Sequence, residues 1–422
     1  MSATFLVLAF GEAGHILLPM LSIVEALTRR GHRVLIYTSA KFKQGARAAG
    51  GEVLEPRTFA DPFERMSQMK AEAGKRRGVL EAVRGFQRAR ADMRVEIPRM
   101  TREWVQVIQA EQVDCVVSFL ALGARYAAEL TGRPFASVAP NPLMVFDEEG
   151  GMLLPPHPLL KHVPTGLFHS LLDRLLPLAH CREELGLPPR KDTRFELFGN
   201  MVSDTLHLVT VQEDFFPVGS QRSGQVCVGP MSFNLPRPEA TPFPVDTLAP
   251  GTVLVSTTTL PMDGGLFRRT LEALAPLNIP LLATAAGAAD IPEGLGAHVR
   301  LESFIPHDQV LPHVSALVTH GGWGTTGRAL RQGVPMLITP LFGDQPIIGA
   351  RLAELGLAYH LPRAQATKEN IQKALAALLQ DTALHQRVRA LAAKLQQVDS
   401  PRLSAEALER LVADRAPLRS AA

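Results

Sequence analysis

Apolar residues in this chain fall into short, nearly continuous runs, separated by stretches in which they recur every three or four positions. The run "TFLVLAF" predicts a first strand, the glycines between Gly11 and Gly14 a turn, and the spacing from about Ile16 to Arg29 a helix. Gly31 stands where a helix stop belongs, and "RVLIYTS" after it predicts a second, parallel strand. The pattern returns at "VDCVVSFL", "ALGARYAAELTG", "PFASVAP", "LHLVTV" and "QVCVGP". Strands buried on both faces of a parallel sheet have this continuous apolar character, because helices cover both sides. Residues 1–230 therefore predict one doubly wound α/β domain.

Residues 231–250 follow as a proline-rich linker, the stretch from Pro230 to Pro250 holding six prolines and little periodicity. A second βα series occupies residues 251–398, with strands at "GTVLVSTTTL", "IPLLATAA", "SALVTH" and "VPMLITP", and residues 399–422 predict a terminal helix with a frayed tail. The fold class expected is α/β, with two Rossmann-like parallel-sheet domains facing each other across a cleft, where ligands bind beyond the carboxyl ends of the strands.

A length of 422 residues suits two domains, and 46% hydrophobic with 20% charged residues describes an ordinary globular chain. The net charge of +3 is too small for a nucleic-acid binder. One stretch stands apart: between Lys70 and Arg102 ten Lys and Arg face four Asp and Glu, a basic face that could touch an anionic membrane surface. The more ordinary reading of such a face is a solvated surface. Cys115, Cys181 and Cys227 are far apart and form no CxxC, so neither a disulfide framework nor a zinc site is expected, and a reducing cytoplasm fits. No run reaches the roughly 18 apolar residues of a spanning helix, and the N-terminus reads as a strand rather than a leader.

The candidate chemistry lies in "HGGWGTTGRALRQGVPMLITPLFGDQP", residues 320–346. Glycines directly after the strand "SALVTH" and before a helix leave the first helical N–H groups open to an anion and let a phosphate approach closely. His320, Thr325 and Thr326 add donors, which makes a diphosphate the natural guest. No Lys follows in a Walker A frame. The strand "VPMLITP" should deliver Asp344 and Gln345 to the same rim, where a carboxylate and an amide can bracket neighbouring sugar hydroxyls.

Taken together these segments resemble the donor-binding signature of the family 1 (UDP-glycosyltransferase-like, natural-product type) glycosyltransferases, which have the GT-B fold. "FIPHDQVLPH" resembles the family's aromatic-x-P segment, and "VLVSTTT" its strand ending in a Ser-x-Gly-Thr turn. The resemblance implies a donor diphosphate at His320, Gly322, Gly324, Thr325, Thr326, Thr258 and Thr259. It places the nucleoside at Phe304, Ile305, His307 and Arg328, and the sugar at Trp323, Asp344 and Gln345. "FGEAGHILLPML" resembles the turn that carries the family's general base, here His15, whose unperturbed pKa of about 6.5 permits proton acceptance near neutrality. A lone histidine after a strand is otherwise more often structural. The implied activity is an inverting transfer of a hexose, glucose first, from UDP- or TDP-sugar to a hydroxyl of an apolar small molecule. No metal or other cofactor is implied, and no Asp-x-Asp pair is present. In the family the terminal helix packs back on the N-terminal domain.

Three positions depart from the pattern. Ser118 and Phe119 stand where an Asp commonly orients the base, Arg328 replaces a ribose-contacting Glu, and Ser256-Thr257-Thr258-Thr259 replaces the Ser-x-Gly-Thr turn. Acceptor walls are expected in residues 56–110 and 141–180, with Phe63, Met66, Phe86, Met144 and Phe146 as candidates. Two alternatives keep the fold: a catalytically weak sugar-nucleotide-binding partner protein, and a sugar-nucleotide epimerase. A nicotinamide oxidoreductase fares worse, because "GEAGH" lacks the GxGxxG fingerprint.

Overall fold

The computed structural model describes residues 2–11, 14–61, 79–119, 121–146, 153–154, 176–189, 201–216, 223–236, 243–257, 265–284 and 291–414; for residues 14–16 and 79–83 it describes the backbone only. The chain divides into two compact units. Unit 1 comprises Met1–Val228, Ser232–Pro236 and Ser400–Ala422, and unit 2 comprises Gly229–Met231 and Arg237–Asp399.

Unit 1 is built on β1 (Thr4–Ala9), β2 (Arg33–Thr38), β3 (Glu52–Leu54), β4 (Cys115–Phe119), β5 (Phe135–Ala139), β6 (Leu206–Val209) and β7 (Gln225–Cys227). They form one parallel sheet in the order β3-β2-β1-β4-β5-β6-β7. Its helices are α1 (Gly14–Arg29), α2 (Lys43–Ala48), α3 (Val79–Ala110), α4 (Ala124–Thr131), α5 (Leu178–Glu184) and, from the chain end, α12 (Ser400–Ala413). In α1, Leu17, Met20, Leu21, Val24 and Leu27 are buried, a spacing of three and four that sets one face against the sheet. On the other flank Trp104 of α3 packs edge-on against Phe59, which also meets Phe10 and Tyr37. The outer face of α3 carries exposed Arg84, Arg88 and Arg94. The earlier part of the basic stretch lies outside the described residues.

Helix α12 is fastened to the start of unit 1. Arg30 Nε and His32 Nε2 lie 2.7 and 2.8 Å from Glu409 Oε1. The Arg30 guanidinium, and after it His32, hold the Glu409 carboxyl down at about 2. A depressed carboxyl contributes stability that is complete above its unfolded value near 4.3 and fades as pH falls from there towards 2. Glu409→Gln is thus expected to lower the melting temperature at pH 7 and to approach the wild-type value as both are acidified; parallel curves across that window would rule the pair out as a stabiliser.

Unit 2 holds β8 (Val253–Ser256), β9 (Leu281–Thr284), β10 (Val299–Glu302), β11 (Ala316–Thr319), β12 (Met336–Ile338) and β13 (Ala358–His360), again all parallel, ordered β10-β9-β8-β11-β12-β13. The helices are α6 (Leu266–Leu274), α7 (His307–Val310), α8 (Trp323–Gln332), α9 (Gln345–Glu354), α10 (Lys368–Gln380) and α11 (Thr382–Gln396). The second half of the proline-rich stretch is not a free linker. Phe243 donates its N–H to Gln309 Oε1 at 3.0 Å, and the Arg300 guanidinium lies 4.7 Å from its ring, so this part packs on unit 2.

In each sheet the strand order reverses once beside the first strand, between β1 and β4 and between β8 and β11. At those points the connections leave in opposite directions and open a crevice at the carboxyl ends. Helix α1 begins at the first crevice and α8 at the second.

Candidate functional site

The second crevice gathers most of the predicted donor residues. Strand β11 ends at Thr319, paired with Ser256 at the end of β8, and the chain turns through His320, Gly321 and Gly322 into α8. Gly321 has φ +87°, a conformation that L side chains avoid. A Cβ there would lie 2.6 Å from Ile338 Cγ2 and 3.5 Å from the Gln345 carbonyl oxygen, so this backbone touches both β12 and the start of α9. Gly322 is the N-cap of α8 and no side chain caps the helix. A Cβ on Gly322 would stand 2.7 Å from His320 Nε2, which shows that the imidazole folds across the helix N-terminus. Thr326, in the first turn, is fully buried, and among the described residues its hydroxyl has no hydrogen-bond partner. Such an orphan costs free energy unless a ligand or water meets it.

Around this turn lie His307, Asp308 and Arg328. His307 Nε2 is 3.0 Å from Ser256 Oγ, and Arg328 Nε is 3.2 Å from Asp308 Oδ1. Burial, then the Arg328 charge and then His320, push His307 down to about 4, so its ring is neutral at pH 7. Burial also lowers Arg328, with Asp308 opposing it. The wall therefore combines a guanidinium, two imidazoles, an uncapped helix N-terminus and one carboxylate, an arrangement suited to a multiply charged anion. Sequence reasoning passed over Asp308, although it stands in the quoted "FIPHDQ" beside His307; only the fold shows that it holds Arg328.

Several predicted residues turn out differently. Gln345 is buried, and its Oε1 accepts from the N–H groups of Leu341 at 2.9 Å and Phe342 at 3.2 Å. Its carbonyl oxygen is spent on the turn, so what the amide can still offer is its N–H donors. Asp344, the N-cap residue of α9, does not cap that helix with its side chain. Trp323 is 3% exposed, so the ring is chiefly packing, and Ile305 is likewise buried while its neighbour Phe304 is 43% exposed. Gly324 and Thr325 lie in the first turn of α8, where Thr325 donates its N–H to the Gly322 carbonyl at 3.2 Å. Thr258 and Thr259 lie outside the described residues, whereas Ser256 and Thr257 are buried at the end of β8.

In unit 1, His15 is the second residue of α1, at the crevice between β1 and β4. Pro19 has no N–H to give the His15 carbonyl, which leaves that turn open. Strand β4 brings no acid to this rim. Ser118 is buried near its end, and Asp114 stands at the opposite end, accepting from Thr4 N at 2.8 Å. Among the acceptor candidates Phe146 is corrected. It is fully buried, its backbone held by both ends of the Gln225 amide at 3.0 and 2.6 Å, because the edge of the sheet needs a partner there. Met144 is half-buried, and its carbonyl lies 2.6 Å from His207 Nε2. Phe86 is exposed on α3; Phe63 and Met66 lie outside the described residues.

Residues 268–413 match the erythromycin biosynthesis protein CIII-like C-terminal domain. This chain is thus similar to natural-product glycosyltransferases, through that domain and along most of its length. It is 28% identical over 406 residues to 4'-demethylrebeccamycin synthase of Lentzea aerocolonigenes, covering 90% of this chain and 93% of that protein. Its fold is GT-B. The glycosyltransferase of kitacinnamycin superposes with a TM-score of 0.74 at 20% identity, over 97% of this chain and 98% of that one. The glycosyltransferase VinC in complex with DTDP gives 0.68 at 20% identity, over 98% and 100%. Among the described residues no helix of this glycosyltransferase is long and apolar enough to cross a membrane.

Proposed function

We propose that this glycosyltransferase moves a hexose, glucose first, from a UDP- or TDP-sugar to a hydroxyl of an apolar small molecule, with inversion. The observation that carries this is the uncapped N-terminus of α8 at the β8–β11 crevice, with the Thr326 hydroxyl unpartnered and Gly321 against Gln345. A diphosphate there would meet the N–H groups, His320 and Thr325, which stabilise the charge that grows as the nucleotide leaves. The attached sugar would reach Asp344 and the Gln345 amide hydrogens. In this reading His15 removes the proton from the acceptor hydroxyl, whose oxygen attacks the anomeric carbon from the face opposite the diphosphate. VinC, crystallised with DTDP, supports a thymidine donor as well as a uridine one.

Mass spectrometry of products from a matrix of UDP- and TDP-sugars against phenolic and terpenoid acceptors tests the proposal directly. A product heavier than its acceptor by one glycosyl unit supports it, and donor hydrolysis or epimerisation alone would replace it. Asp344→Ala is expected to lower kcat/KM at least about tenfold, as for a lost hydrogen bond to a charged group, with UDP affinity unchanged in calorimetry. Equal loss of UDP affinity would move Asp344 to the nucleotide. The absence of an acid at the end of β4 favours one second reading, a sugar-nucleotide-binding partner with weak catalysis; tight nucleotide binding without any product across the matrix would establish it.

A further inference from the structure

Unit 2 has a second concave feature. A groove of about 410 Å³ is lined by Arg269, Arg363, Ala364, Ala366, Thr367 and Lys368. Its volume lies in the small-ligand range, and three of its six lining residues are cations with no acid among them. Lys368 is answered, since its Nζ lies 2.8 Å from Glu272 Oε2, and the same carboxylate takes Arg268 Nε at 2.8 Å. The Glu369 backbone N–H and the neighbouring Thr367 hydroxyl hold the Glu369 carboxyl below its usual range. Among the described residues no carboxylate reaches Arg269 or Arg363. Arg363 Nη1 instead lies 3.4 Å from the Leu341 carbonyl oxygen. Two guanidinium groups bordering one hollow repel each other unless an anion stands between them, and the small side chains of Ala364 and Ala366 leave the space for it.

We propose that this groove is a second anion site, taking a phosphate-class group of two or more negative charges. Guanidinium forks match such oxyanions bidentately. The residues involved are distinct from Ser256, His307, His320 and Thr326. The groove nevertheless shares one residue with the sugar turn, because the Leu341 carbonyl accepts from Arg363 Nη1 and the Leu341 N–H donates to Gln345 Oε1. An anion that draws Arg363 inward thus acts on the turn carrying Asp344. The statement that there are two sites rests on the donor reading above; the groove itself does not.

Equilibrium dialysis of labelled pyrophosphate against the full chain tests it. Wild type is expected to bind two equivalents. Arg269→Ala should bind one, with groove affinity at least about tenfold weaker, in keeping with a lost charge-assisted bond, and Arg269→Lys should recover part of the loss. His320→Ala reports the donor site separately. If Arg269→Ala binds as wild type does while His320→Ala loses one equivalent, the groove is refuted and the donor reading stands; if only Arg269→Ala loses one, the groove stands and the donor reading fails. A wild type that binds no pyrophosphate at millimolar concentration overturns both. Circular dichroism of each variant confirms folding, and a folded Arg269→Lys keeps the test decisive.

Discussion

His15→Ala is expected to reduce product formation by roughly 10²- to 10⁴-fold, the usual contribution of a positioned general base, while nucleotide affinity and melting temperature stay at their wild-type values. The reason lies in where the chain puts this residue: second in α1, at the crevice where unit 1's strand order reverses, and one turn before a proline that withholds its N–H. With no acid at the end of β4, the imidazole would work without the carboxylate that commonly orients it, since Asp114 is engaged at the other end of the strand. The expected rate is therefore modest. Single-turnover measurement with saturating donor isolates the chemical step. A variant that keeps wild-type turnover would remove His15 from the reaction and leave the donor site intact.

The second large effect belongs to Gly321→Ala. The αL backbone costs a non-glycine residue about 1–2 kcal/mol, and overpacking a core adds about 1–3 kcal/mol. Both apply here, because φ is +87° and the new methyl would sit 2.6 Å from Ile338 Cγ2. Ile338 is fully buried in β12 and has nowhere to retreat. The expected outcome is a fall in melting temperature of several degrees, together with loss of nucleotide binding. Gly322→Ala is the informative contrast. Its φ of −62° and ψ of 133° suit alanine, so the backbone tolerates it, and the methyl displaces only the His320 ring. Weaker nucleotide binding at unchanged melting temperature is expected there. Equal melting of Gly321→Ala and wild type would show that the turn is not held as described.

Apart from the edge strand β7, the strands that the apolar pattern predicted are those inside the sheets. β1, β4, β5, β8 and β11 are buried along almost their whole length, and each reads in the chain as a continuous apolar run. The three strands it missed, β3, β10 and β13, all lie at sheet edges. Each has only three or four residues, half-exposed for the most part, because an edge strand has solvent on one side and needs no unbroken apolar sequence. The glycine turn before α8 was legible for a related reason: glycines between a strand and a helix answer a local demand of the backbone, and Gly321 meets it with a positive φ.

What each polar group was for could not be read in the same way. Asp344 and Gln345 are adjacent in sequence and looked like one recognition pair, yet the Gln345 oxygen is taken by Leu341 and Phe342. Phe146 looked like a wall for an apolar ligand and is core, held by Gln225 from 79 residues away. Arg328 looked like a departure from the family pattern and is answered by Asp308, twenty residues earlier. The sequence by itself determined the two parallel sheets and the place of the glycine turn before α8, since backbone conformation and two-sided burial leave their mark on neighbouring residues. Tertiary structure decided which donors and acceptors remain for a ligand, because a hydrogen bond is settled by whichever partner folding brings within 3 Å.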